Sequence, residues 1–468
     1  MTDLAFLNAS QLAPMIEKKE LSPVELTDHL FARIDKMNPN LNAYITILHE
    51  EARGQAKQAE ENIMKGGYKG PLHGIPVAIK DNYQTSGIRT TAGAKLFADF
   101  IPVEQSTAVN KLQKAGGIML GKLHMHQLGG GLTGNNPDFG VSRNPWNPTY
   151  ITGGSSSGSA AALAAGMATT ATGTDTFGSI RIPAAMSGVY GLKPTFGLIS
   201  TYGILPTAFS LDHAGPMARS VSDLALMLNA MAGYDPLDPN SLNVKVPDYA
   251  KGLNEEIADV KIGIPTFYLE GLAPDIEKLF NKAIAKLEKL GAHIKQMDIP
   301  ELALGAFSGH VITSAEAAAY NYESLKSKPE LYPQDVRVLL SAGALSSAAQ
   351  YVRAQQARRV LAQAIKKALK EVDVLLGPAS PITTPKISEV WSMQNMEVVK
   401  ACLPFMAPAN LAGIPSLAVP MGHDSNGLPA GMQFMGNHMC ESLLLRVGKA
   451  WESMKPVQYN LIKLEEIL

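Results

Sequence analysis

A chain of 468 residues, 46% hydrophobic and 18% charged, has the make-up of a folded protein with a large buried core and excludes a disordered one. Its 41 lysines and arginines stand against 42 acidic residues, and a net charge of −1 offers no field to gather nucleic acid or an anionic membrane. Two cysteines, Cys402 and Cys440, form no CxxC pair and suit a reducing, cytoplasmic compartment; no signal-peptide pattern and no long uncharged apolar span is read.

The first element expected is a helix opened by Ser22-Pro23-Val24-Glu25, with a serine cap, proline in the first turn and a glutamate placed for a capping box. Ser106 to Leu112 reads as a second helix, stopped at Gly116-Gly117 and followed by the buried strand Ile118 to Leu120. The pattern returns at Gly158 to Ala164 with Met167 to Thr172, and Ser220 caps another apolar helix. Lys261 to Ile264, Pro274 to Leu290 and His293 to Met297 make one more strand, helix and strand. Repeated units of this kind predict an α/β fold, a mixed or parallel sheet covered by helices. One unit over 1–468 is expected, with a helical part at about 1–65 and a lobe boundary in the Pro-, Asp- and Asn-rich stretch 234–252.

Three stretches carry candidate chemistry. Ile151-Thr152-Gly153-Gly154-Ser155-Ser156-Ser157-Gly158-Ser159 is a glycine- and serine-rich loop ahead of an alanine-rich helix, which alone reads as a flexible turn or as a phosphate cradle without its lysine. Gly173-Thr174-Asp175-Thr176-Phe177-Gly178-Ser179-Ile180-Arg181 is a turn after an apolar strand, and sites on α/β sheets collect at strand ends. It offers a serine nucleophile but no base, and Asp175 is read as a structural ion-pair partner of Arg181. Gly74-Ile75-Pro76-Val77-Ala78-Ile79-Lys80 ends an apolar run on a lysine; on the surface it is a snorkelling residue, whereas burial lowers its pKa and makes it a base near neutral pH.

These stretches, in this order, resemble the signature of the amidase signature family, which includes fatty acid amide hydrolase and the A subunit of glutamyl-tRNA amidotransferase. The likeness extends to His213-Ala214-Gly215-Pro216, Arg219-Ser220-Val221, Pro408-Ala409-Asn410 and Gly427 to Gln433, nearly the whole chain. It implies a large, mostly parallel mixed β-sheet sandwiched between α-helices. It also implies a Ser-Ser-Lys triad in which Ser179 is acylated, Ser155, preceded by a cis peptide, shuttles the proton, and Lys80 is the base. Thr176, Phe177, Gly178 and Ser179 then supply backbone donors to the oxyanion, Gly153, Gly154 and Ser156 shape the loop, and Gly129, Gly130, Gly131 and Phe177 lie against the substrate. The family carries glycine where Phe177 and Ser157 stand, so a steric cost is expected at Phe177 if its φ is positive.

The resemblance implies an amidohydrolase acting on a small linear amide, releasing acid plus ammonia or amine. A stand-alone enzyme is expected, since Glu316 to Glu323 is unlike the glutamine-binding region of the amidotransferase subunit; that subunit, or an esterase or carbamate hydrolase, is the alternative. No nucleic-acid or membrane partner is expected, and a homodimer is the prior. His124 and His126 lack companions for a metal site, so neither metal nor cofactor is expected.

Overall fold

A computed structural model describes residues 3–459. Its strands are β1 (Tyr44–Ile47), β2 (Pro76–Lys80), β3 (Ile118–Leu123), β4 (Thr170–Asp175), β5 (Tyr190–Lys193), β6 (His213–Ala218), β7 (Lys261–Pro265), β8 (His293–Met297), β9 (Val374–Pro378), β10 (Ser416–His423) and β11 (Pro429–Gly436). All join one sheet in the order β1-β3-β2-β4-β6-β5-β10-β11-β9-β7-β8. Strands before and after the irregular stretch 234–252 therefore share this sheet, and within the expected N-terminal helical part β1 separates two helices.

The mixed sheet between helices is as expected, but parallel pairing is confined to two blocks. β2 pairs parallel with β3 and β4, and β7 with β8 and β9; the other six neighbouring pairs are antiparallel. The cause is local: β6 runs back between β4 and β5, and the hairpin β10–β11 inserts between β5 and β9.

Away from the edge strands β1 and β8 both faces are buried, and residues along a strand alternate between them. On β2, Val77 and Ile79 join the apolar cluster under helices Ala9–Glu17, Thr107–Lys114, Val221–Met231, Pro274–Lys289 and Glu441–Glu452, while Ala78 faces helices Pro23–Leu41 and Ser157–Ala164. A further cluster gathers helices Leu304–Ser327, Ala348–Ala368 and Trp391–Leu411 around Phe177. Among the described residues no helix is long and apolar enough to cross a membrane.

The helix starts follow their caps. Ser22 Oγ accepts from the N–H groups of Val24 and Glu25 at 3.0 and 3.2 Å, without the reciprocal Glu25 bond of a full capping box. Ser220 Oγ accepts from Asp223 N–H, and the Asp223 carboxylate accepts from Ala9 and Ser10 N–H at 2.8 and 3.0 Å, docking the first helix far away in sequence. Ser220→Ala is expected to lower stability by about 1 kcal/mol, read as a shift in the urea unfolding midpoint.

Candidate active site

Parallel pairing of β2 with β4, Val77 opposite Thr170 and Ala78 opposite Ala171, brings the ends carrying Lys80 and Asp175 to the same edge of the sheet. Lys80 N–H donates to Thr172 Oγ1 at 2.9 Å. The Lys80 side chain has no exposure to solvent, and its Nζ donates to Ser155 Oγ and to Thr174 Oγ1, both at 2.7 Å. Thr174 Oγ1 also accepts from Asn82 Nδ2 at 3.2 Å. Burial pulls the Lys80 pKa down to about 7, opposed by the negative charges of Asp175 and Asp212. An amine of this kind is part neutral at neutral pH and can accept a proton.

Ser155 follows a cis Gly154–Ser155 peptide bond and is 1% exposed. The loop threads closely: a Cβ on Gly153 would lie 2.9 Å from Pro183 Cα, and one on Gly154 would lie 2.9 Å from Gly134 N. Ser156 N–H donates to Ser179 O at 3.1 Å, tying the two serine loops together, and Ser156 Oγ accepts from Thr174 N–H at 3.3 Å. Ser179 is 2% exposed. Among the described residues no hydrogen bond joins its Oγ to that of Ser155.

The Ser179 loop is held from within by Asp175. Arg181 donates Nε to Asp175 Oδ2 and Nη2 to Oδ1, each at 3.0 Å, while Asn410 Nδ2 donates to Oδ1 at 2.9 Å. Although burial opposes ionisation, the Arg181 guanidinium holds the Asp175 carboxyl far below the usual carboxylate range. The expected ion pair is therefore present, and it has a further consequence. Gly178 N–H donates to Asp175 Oδ1 at 2.8 Å, so Gly178 is not a free donor; the expected set narrows to Thr176, Phe177 and Ser179, whose N–H groups meet no acceptor among the described residues.

The steric cost expected at Phe177 does not arise, because Phe177 has no positive φ. The following Gly178 takes it, at 118°, and a Cβ there would lie 2.7 Å from Met406 Cγ. Ser157, the other departure, begins a helix and places its Oγ 3.0 Å from His124 Nδ1. The Phe177 ring and Gly130 line a cavity of about 340 Å³ whose other walls include Ala306, Leu339, Val399 and Leu403. A Cβ on Gly129 would strike Thr207 Oγ1, and one on Gly131 would strike His126 and Asn395. Of the three glycines, Gly130 lines the cavity and its neighbours admit packing partners. A second cavity, about 190 Å³, reaches Thr174, Asn82, Thr207 and Asp212.

His124 bonds Ser157 and Gly140 O, and burial lowers its pKa to about 4; His126 Nε2 lies 3.2 Å from Asp335 Oδ2. Cys402 is fully buried, and burial pushes its thiol up to about 12. Sequence reasoning missed Thr174, Asn82, Asp212 and Asn410. Thr174, Asn82 and Asn410 lie in or beside stretches singled out in the sequence, but no role at the site was read for them; Asp212 left no trace.

The Amidase family model matches residues 25–445. The chain is 41% identical to the A subunit of the glutamyl-tRNA(Gln) amidotransferase of Geobacter metallireducens, over 96% of this chain and 97% of that one. A chain from a vestigial protein complex, described as revealing the evolutionary origins of an s-triazine catabolic enzyme, superposes with TM-score 0.91 at 31% identity over 97% of this chain and 99% of that one. A bacterial aryl acylamidase of the amidase signature family superposes with TM-score 0.90 at 27% identity over 97% and 98%. With a buried lysine, two serine loops and matches that run almost end to end, the chain belongs to the amidase signature family.

Proposed function

We propose that the chain hydrolyses the C–N bond of a carboxylic amide through an acyl-enzyme on Ser179. The observation that carries this reading is Lys80, an amine with no solvent exposure, depressed pKa and a 2.7 Å bond to Ser155 Oγ. Neutral Lys80 takes the Ser155 proton as Ser155 takes that of Ser179, and Ser179 Oγ attacks the amide carbon. Substrate binding has to close the gap between the two hydroxyls, since such contacts tighten in the reacting complex. The N–H groups of Thr176, Phe177 and Ser179 face the developing oxyanion, each worth about 3 kcal/mol. Ser155 then passes its proton to the departing nitrogen and is reprotonated from Lys80; water repeats the sequence to release the acid.

The curated relatives favour an amidotransferase A subunit over the stand-alone enzyme expected from Glu316 to Glu323. The one cited above matches over nearly its whole length, and others of the same name match at 37–39% identity. On that reading glutamine is the amide, and ammonia passes onward within a complex of partner subunits. One observation favours the stand-alone reading: the cavity beside Phe177 has a largely apolar wall, suited to an aryl or alkyl group. The purified chain alone, given glutamine and a graded panel of alkyl and aryl amides with ammonia and acid measured, separates them. Hydrolysis of apolar amides without partners supports the stand-alone enzyme, glutamine hydrolysis that needs partners supports the subunit, and a Ser179→Ala protein of undiminished activity would sink both.

A further inference from the structure

Asp212, just ahead of β6, ties three loops around the site. Its Oδ1 accepts from the Thr176 hydroxyl at 2.5 Å, and its Oδ2 accepts from Thr207 and Ala208 N–H at 2.8 and 3.0 Å. Thr207 donates its own hydroxyl to Leu128 O at 3.1 Å and packs where a Cβ on Gly129 would stand. The Ser179 loop is thus clasped by two carboxylates of different character. Asp175, inside, is neutralised by Arg181. Asp212, on the cavity side, receives only a hydroxyl and two N–H groups, and none of its hydrogen-bond partners among the described residues is a cation.

Charged groups act on this carboxylate from several sides, and Asp238 lines the same cavity. Lys80 feels its negative charge across the site, together with that of Asp175. Glu316, on helix Leu304–Ser327, repels it, and His213 is next in sequence, held neutral chiefly by burial and then by Lys193 and Arg181. Desolvation raises the Asp212 carboxyl to about 6, against about 7 for Lys80, so the carboxyl gives up its proton ahead of the lysine.

We infer that Asp212 is a positioning residue of the hydrolysis proposed above: through the Thr176 hydroxyl it fixes the loop bearing the oxyanion donors, and it sets a carboxylate with no cationic partner on the cavity also lined by Thr174, which accepts from Lys80 Nζ. The inference rests on the serine mechanism, and the two roles have separate signatures. Loss of the charge moves the pH dependence of nucleophile activation; loss of the Thr176 tether slows the reaction at every pH.

An alkyl fluorophosphonate tests this without knowledge of the substrate, because Ser179 Oγ displaces fluoride from phosphorus while the phosphoryl oxygen takes the oxyanion position. The labelling rate, read by intact mass across pH 5 to 10, is compared for wild type, Asp212→Asn, Thr176→Val and Thr176→Ser. The asparagine side chain keeps the shape and an acceptor for the two N–H groups, and the Thr176 hydroxyl can rotate to accept. Asp212→Asn is expected to move the midpoint about one pH unit lower. Thr176→Val is expected to label about tenfold more slowly across the whole pH range, and Thr176→Ser to recover the wild-type rate. Wild type that takes no label overturns the serine mechanism and the inference with it. Wild type that labels normally, with either an unshifted Asp212→Asn midpoint or a Thr176→Val rate equal to wild type, overturns the inference alone. If Asp212→Asn does not fold, Thr176→Val decides.

Discussion

Lys80→Arg is expected to lower kcat/KM on any amide the enzyme turns over by about four orders of magnitude, close to the whole contribution of a positioned general base. Arginine keeps a cation on a long side chain but gives up its proton only far above neutral pH. If Lys80 served merely to hold Ser155 or to place positive charge near the oxyanion, arginine would replace it in part. The contacts argue for the base. Lys80 Nζ donates to two hydroxyls and to no carboxylate, and a charged ammonium there has poor compensation for its lost water. In wild type, activity should rise with pH through a midpoint near 7, where burial places the Lys80 equilibrium. Activity of Lys80→Arg within tenfold of wild type, or a flat wild-type profile from pH 5 to 9 with chemistry limiting, would remove the lysine from this role.

The same burial has a thermodynamic signature. The unfolded chain binds the Lys80 proton below about pH 10.5 and the folded chain only below about pH 7. Between those values the unfolded state holds the extra proton, so stability rises with pH, by about 1.4 kcal/mol per unit from this group. The penalty is complete below pH 7 and gone above pH 10.5. Lys80→Met, which fills similar space and does not titrate, therefore provides the reference. Between pH 7 and pH 9.5 wild type is expected to gain about 3 kcal/mol relative to Lys80→Met in urea unfolding. Groups that do not feel Lys80 cancel in the comparison; Asp175 and Asp212, which do, blunt the slope. At pH 7 and below the methionine protein should be the more stable and inactive, the usual trade between a strained site and its function. Parallel stability curves for the two proteins would mean that the lysine titrates normally.

Much of the scaffold was legible because its signals are local. Ser220 with the apolar run after it, and the Lys261–Pro265, Pro274–Lys289 and His293–Met297 unit, declare themselves through caps and periodicity. The antiparallel middle of the sheet was not, because it depends on which distant strands meet: Tyr190–Lys193 is a run of four residues, and nothing within it shows that it pairs with Ser416–His423. The site divides the same way. Lys80 could be recognised as the end of a strand, but its burial depends on Thr174 across the sheet and on two loops more than seventy residues away. Asp212 carries no local mark, since it acquires its place by standing before a strand that returns beside the one ending just ahead of Thr176. The claim of Asp175 on the N–H of Gly178 is likewise a matter of turn geometry rather than residue type.

The demand for an unusual backbone angle falls at Gly178 and spares its neighbour Phe177. A smaller or larger side chain at 177 would therefore alter the width of the adjoining chamber without asking that residue for a backbone angle that side chains other than glycine's resist.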